Sequence, residues 1–442
     1  MFKRKIYDKL LEWKKQNGST SLLIEGARRI GKSTIVENFA QNEYKTYIMI
    51  DFSDTTNAVR DLFNDGSDLS TFFFSLSLLT GVSLHERETL IIFDEVQMFP
   101  RARQLTKKLV LDGKYDYILT GSLLSIRSNK AGILLPSEED SLKMFPLDFE
   151  EFLWANNRMD LVSVIRERFL MKKPMDNLHS LIMKYFRQYL FVGGMPQAVV
   201  EFMNTSDFTK VDKIKRRILK LYRDDIGKYA ETYEKKVRAI FDDIPAQLSS
   251  KEKRFRLSSL GKEARLRDYE DAFMWLEDAM ITNSCFNSRD PQHGLSLYLD
   301  RPTFKTYFID SGLLLAHAFN EKEFMEQKIA QEIINDNLSF NNGMIIENVV
   351  AQLLISSGKK LFFYYRNVDP KIEIDFLIYD PWNHRKISPI EVKSSKKYTT
   401  ISLDRFSHKF SDKITNSIII HTKDMKITNN TFYVPIYMTH LL

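Results

Sequence analysis

Residues 26–34 read Gly26-Ala27-Arg28-Arg29-Ile30-Gly31-Lys32-Ser33-Thr34: two glycines five positions apart, then a lysine and two hydroxyls. Glycine lets a backbone curl so that successive N–H groups converge on an anion. A lysine adds a mobile point charge and a serine hydroxyl a hard oxygen ligand. The spacing therefore predicts a loop that encloses phosphate oxygens from Gly26 to Thr34, with Lys32 reaching the terminal phosphates of a nucleotide and Ser33 a magnesium ion. Farther on, Glu88-Thr89-Leu90-Ile91-Ile92-Phe93-Asp94-Glu95 is an apolar run that ends in two carboxylates. Asp94 at such a strand end suits a magnesium ligand, and Glu95 is placed to orient or deprotonate a water. A third run, Tyr115–Leu119, leads into Thr120-Gly121-Ser122, where Thr120 or Ser122 is expected to touch the terminal phosphate or the water.

A second constellation lies near the other end. Glu347 sits early in a helical stretch, Asp375 in the run Lys371–Ile378, and Glu391 and Lys393 two residues apart in Pro389-Ile390-Glu391-Val392-Lys393. Residues two apart on a strand share a face. Two carboxylates and a lysine converging on a sheet resemble the site of PD-(D/E)xK nucleases. That resemblance implies Glu391 and Asp375 holding a second Mg²⁺ or Mn²⁺, Lys393 positioning water or stabilising the leaving charge, and Glu347 completing the shell. A half-exposed strand with a charged outer face is the alternative reading of the same residues.

The elements that must position these groups follow from periodicity. Strands are expected at Leu22–Glu25, Thr46–Asp51, Leu90–Asp94 and Tyr117–Thr120, with helices between them, one of which puts Ile35, Val36, Phe39 and Ala40 on a single face. This pattern predicts an α/β domain with a parallel sheet over residues 1–150. A further short strand is expected at Leu142–Leu147. Residues 151–233 read as a helical, lid-like subdomain interrupted by Phe191-Val192-Gly193-Gly194-Met195-Pro196, a turn. Over 234–312 two helices precede the expected strands Ile281–Phe286 and Ser296–Leu299, the pattern of a winged helix. Residues 313–442 would form an α/β, restriction-endonuclease-like domain around the second constellation.

The 442-residue chain is 43% apolar and 28% charged, the balance of a soluble globular protein. It has no apolar run long enough to span a bilayer, no signal-peptide core at its start, and a single cysteine, Cys285. No membrane partner, no disulfide and a cytoplasmic location are the expectations. The net charge of +6 is modest, but Lys251–Arg267 holds seven cations against two acids, which makes DNA a candidate partner.

With these motifs in place the chain resembles bacterial and archaeal AAA-type P-loop ATPases that carry a C-terminal domain of unknown function (DUF4143). The marks are Gly26–Thr34, Ile92–Glu95, Thr120–Ser122, Phe191–Pro196, Phe304-Lys305-Thr306-Tyr307-Phe308-Ile309-Asp310-Ser311-Gly312-Leu313-Leu314 and the set Glu347, Asp375, Glu391 and Lys393. The resemblance implies an ATP site built by Lys32 and Ser33, a hydrolytic pair Asp94 and Glu95, and Mg²⁺ as cofactor. Arg28, Arg29, Arg101, Arg103 and Arg127 all lie near the site in sequence, so no arginine finger is assigned among them; a finger from a neighbouring subunit and oligomerisation both stay open. Three functions fit: an Mg²⁺-dependent ATPase acting on or near DNA, a metal-dependent DNA nuclease regulated by ATP, and a slow nucleotide-gated interaction switch.

Overall fold

The computed structural model describes residues 2–65, 68–121, 138–321, 325–335, 342–368, 371–383, 386–395 and 398–442. They form two compact units, residues 3–145 with 278–280, and residues 2, 146–277 and 281–442.

The first unit is built on five parallel strands: β1 (Ser21–Glu25), β2 (Thr46–Asp51), β3 (Thr89–Asp94), β4 (Asp116–Gly121) and β5 (Glu139–Lys143), in the spatial order β2-β3-β4-β1-β5. β1, β3 and β4 are buried along their whole length, which is why their sequences run apolar without alternation. The register sets Glu25 beside Gly121 and Phe93 beside Leu119, so the carboxyl ends of β1, β3 and β4 form one edge. Aromatic rings fill one side: Phe52 meets Phe63 edge-on at 5.3 Å and Phe63 meets Phe93 at 5.4 Å. The strand expected at Leu142–Leu147 begins and ends earlier, at Glu139–Lys143, because its pairing with β1 starts at Ser21↔Glu139. The N-terminal helix Ile6–Lys14 turns Ile6, Leu10 and Trp13 inward, as its spacing predicts. Just ahead of it, the Arg4 guanidinium donates to the carbonyls of Ile30 (3.2 Å) and Phe145 (2.6 Å) and ties the chain start to the glycine loop.

The second unit begins with helices: Phe149–Ala155, Met159–Met171, His179–Val192, Pro196–Thr205, Phe208–Tyr229 and Glu234–Ser249. Asp148 and Glu151 form a capping box on the first. The strands that follow are β6 (Thr282–Ser288), β7 (Leu299–Phe308), β8 (Phe362–Arg366), β9 (Ile372–Tyr379), β10 (Ile387–Lys393), β11 (Ser417–His421), β12 (Lys426–Thr428) and β13 (Thr431–Pro435). They make one mixed sheet in the order β12-β13-β11-β10-β9-β8-β6-β7.

This sheet corrects the winged-helix expectation. The antiparallel pair β6–β7 exists, but β6 also pairs in parallel with β8 through Phe286↔Phe362, so the hairpin is the edge of the C-terminal sheet and not a free wing. Ser296–Tyr298, expected within the second strand, lie instead in a 3₁₀ turn, Leu295–Tyr298, and β7 runs on from Leu299.

Two sequence motifs interlock in this unit. The Asp310 carboxylate accepts from the Leu313 N–H (2.8 Å), capping helix Ser311–Ala318, and from the Gly194 N–H (2.6 Å). A Cβ on Gly194 would stand 2.1 Å from the Leu147 carbonyl oxygen, a contact only glycine escapes.

Candidate functional site

The loop after β1 opens a helix, Lys32–Glu43, whose N-cap Gly31 has φ 91° and supplies no capping side chain. That left-handed turn suits glycine, and it leaves the first helical N–H groups free to meet an anion. Ala27 and Ile30 are buried, whereas Arg28, Arg29 and Thr34 are exposed. Lys32 folds back under the loop, donating to the carbonyls of Gly26 and Ala27 at 3.0 Å each. Burial pushes its ammonium below the usual value, and the nearby Glu95 and Asp94 carboxylates oppose that shift.

The strand order accounts for the rest. Because β4 lies between β1 and β3, the end of β4 is delivered to the carboxylate at the end of β3. Asp94 Oδ1 accepts from the Ser33 hydroxyl at 2.9 Å and from the Thr120 hydroxyl. Asp94 and Thr120 are buried and Glu95 is half-buried. Glu95 has φ 49°, a left-handed conformation that a residue with a Cβ adopts at a cost, and its carboxylate accepts from the Gln97 side-chain amide. The donors on offer to a cation, a hydroxyl and a carboxylate, are hard oxygens, the set magnesium prefers.

Lys32, Ser33, Asp94 and Glu95 are therefore gathered as the sequence predicts, and Thr120 joins them. Ser122 and Arg127 lie outside the described residues. Arg103 is engaged elsewhere: it is buried and grips Glu139 with two hydrogen bonds, at 3.1 and 2.5 Å. Gln97 was not foreseeable from any motif; its only signal is its place two residues beyond Glu95.

The second constellation is arranged differently from its expectation. Lys305, on β7 and almost fully buried, extends its ammonium to Glu347 Oε1 (3.1 Å), Asp375 Oδ1 (3.5 Å) and Glu373 Oε1 (3.7 Å). Glu347 Oε1 also accepts from the Tyr307 hydroxyl (2.5 Å) and Oε2 from Lys253. Asp375 Oδ2 accepts from the Val392 N–H at 2.9 Å, and Lys393 pairs with Glu391 at 2.5 Å. Burial works against ionisation of Glu347, but Lys253, Lys305 and the Tyr307 hydroxyl outweigh it and hold the carboxyl down at about 2. At Glu391 and Glu373 burial prevails and the carboxyls are raised. Lys305, Tyr307 and Lys253 escaped sequence reasoning. The signal was available for two of them: Lys305 and Tyr307 alternate on one face of a strand whose last five residues are all buried.

Residues 19–153 match the family model of an AAA domain. Residues 183–323 match a domain of unknown function (DUF8612) and residues 342–439 another (DUF4143). An uncharacterized protein of Methanocaldococcus jannaschii is 24% identical over 379 residues, 81% of this chain and 71% of its own length. An uncharacterized protein of Haemophilus influenzae is 23% identical over 186 residues, 40% of each. Among solved structures, the Aeropyrum pernix ORC1 protein in complex with DNA is 11% identical, with 72% of this chain and 93% of that one covered and a TM-score of 0.26. A STAND signal-transduction ATPase with a tetratricopeptide repeat sensor from Pyrococcus horikoshii is 13% identical, covers 80% and 45%, and has a TM-score of 0.28. Among the described residues no helix is long and apolar enough to cross a membrane.

Proposed function

We propose that this chain binds ATP with Mg²⁺ and hydrolyses it, and that it does so on or near DNA. The observation that carries the nucleotide reading is the convergence of Ser33 and Thr120 on Asp94 Oδ1, beside a lysine already folded into the glycine loop. Ser33 and Asp94 would hold the magnesium, which when bound neutralises charge on the phosphate oxygens. Lys32 exchanges its two carbonyl partners for phosphate oxygens, and its buried position makes that charge count for more than it would in water. Glu95 orients the attacking water and accepts its proton; the Gln97 amide fixes which way the carboxylate points. Thr120 restrains Asp94 through the same Oδ1 that Ser33 holds and reads the far end of the triphosphate, the role sequence reasoning divides between Thr120 and Ser122.

The DNA part of the reading is supported by the basic segment 251–267. Lys253, Arg254 and Arg256 pair with Glu347 or Glu252 and Arg267 with Asp268, whereas the exposed Lys251, Lys262 and Arg265 are not drawn into these pairs. Steady-state phosphate release from ATP and Mg²⁺, with and without duplex DNA, tests both parts. Turnover that survives Lys32→Ala sinks the site assignment. Turnover and nucleotide affinity indifferent to DNA at low salt sink the second part alone.

A further inference from the structure

The metal ion implied by the nuclease resemblance does not fit the residues of the C-terminal unit. A hard divalent cation needs several oxygens drawn in to about 2.0–2.6 Å, each with a lone pair to give. Here those oxygens are spent on the chain's own donors. Glu347 Oε1 serves Lys305 and the Tyr307 hydroxyl, and Oε2 serves Lys253. Asp375 is divided between Lys305 and the Val392 N–H, and Glu391 is taken by Lys393, the lysine that a nuclease would need for its water. Among the described residues no group of three or more His, Cys, Asp or Glu side chains stands in an arrangement able to hold a metal.

Lys305 is also poorly placed to leave. It is 1% exposed, its ammonium lies 5.1 Å from the centre of the Phe363 ring, and its backbone is paired with Cys285 in the β6–β7 ladder. A buried ammonium is stable only among opposite charges, and Glu347, Asp375 and Glu373 supply them. A divalent ion entering the same carboxylates would meet that ammonium a few ångströms away, like charge against like in a medium that screens little.

We infer that Lys305 is the resident cation of this carboxylate cluster, filling the place between Glu347 and Asp375 that a divalent metal would occupy, so that the C-terminal unit is not a metal-dependent nuclease centre. The inference is independent of the nucleotide reading and goes beyond it.

The test uses the full chain carrying Asp94→Asn, so that the first site contributes no metal binding of its own, and Mn²⁺ alone as the probe. Free Mn²⁺ is counted by its paramagnetic resonance signal during titration. With Lys305 present, binding should be no tighter than millimolar, and Asp375→Asn should leave it unchanged. Lys305→Met should create a site: retention gains roughly tenfold or more, and Asp375→Asn removes the gain. Micromolar Mn²⁺ binding that needs Asp375 while Lys305 is intact overturns the inference. So does a folded Lys305→Met protein with no gain. If Lys305→Met does not fold, the comparison of Asp375→Asn with its parent, both retaining Lys305, decides the matter alone.

Discussion

At the scale of single residues, Asp94 Oδ1 is the atom on which the front site is organised, since two hydroxyls from different elements donate to it. Each neighbour then has a separable role. Lys32→Ala removes a charge from the loop without touching the sheet, so phosphate release should vanish while the thermal unfolding midpoint stays near that of the parent. Glu95→Gln keeps the shape and loses the base. Nucleotide binding, followed by calorimetry, should persist while turnover falls by about 10²–10⁴-fold. Thr120→Val withdraws one donor from a buried carboxylate, at a cost of about 0.5–1.5 kcal/mol in stability, and should lower turnover more than it weakens binding. A Thr120→Val protein with unaltered turnover would leave Ser33 as the only hydroxyl that matters.

At the scale of elements, what sequence reasoning could and could not see has a simple physical origin. The glycine loop, the buried strands around it and the adjacent carboxylates Asp94 and Glu95 depend on neighbours within a few positions, so their spacing is legible. Gly193-Gly194 reads correctly as a turn, yet the reason for it, the Asp310 carboxylate and the Leu147 carbonyl, lies far off in the chain. Lys305 is the strongest case: its partners Glu347 and Asp375 are 42 and 70 residues away, and no periodicity connects them. The free wing failed for the same reason, because the outer pairing of β6 is with β8. Gly194→Ala should therefore cost about 2–4 kcal/mol in a urea titration, as backbone must move to admit the methyl group. A cost under about 0.5 kcal/mol, the level of an ordinary surface change, would mean that the interlock yields freely. Glu347 makes a prediction in pH. Its carboxyl is held at about 2 in the folded chain against an ordinary value of 4.5, so its stabilisation is complete above pH 4.5 and lost as pH falls toward 2. Denaturant midpoints of the parent and Glu347→Gln should be well separated at pH 7 and should converge across that window. A separation that does not change with pH would mean that the carboxylate is not charged in the folded state.

At the scale of the whole molecule, the question is whether the two units communicate, and thermodynamics supplies a test that needs no knowledge of a route. If DNA raises the affinity for nucleotide by some factor, nucleotide must raise the affinity for DNA by the same factor, because both describe one coupling free energy. The two factors are measured separately, by calorimetry of nucleotide with and without DNA and by fluorescence anisotropy of labelled DNA with and without ATP, using Glu95→Gln to prevent turnover. Salt then identifies the surface. Of the five exposed cations of this segment, Arg256 and Arg267 are paired with Glu252 and Asp268; the other three, Lys251, Lys262 and Arg265, can neutralise about three phosphates, so the logarithm of DNA affinity should fall against the logarithm of salt with a slope of about −3 or shallower. A strongly basic groove would give a much steeper slope, and the net charge of +6 over 442 residues argues against one. Replacing the three by alanine should flatten the dependence and remove the stimulation of phosphate release by DNA, while basal release, assigned above to a site built by Lys32 and Asp94, should stay at the parental rate. Stimulation that survives the triple substitution would place the DNA contact elsewhere on the chain; a slope that stays steep would mean that other cations carry it.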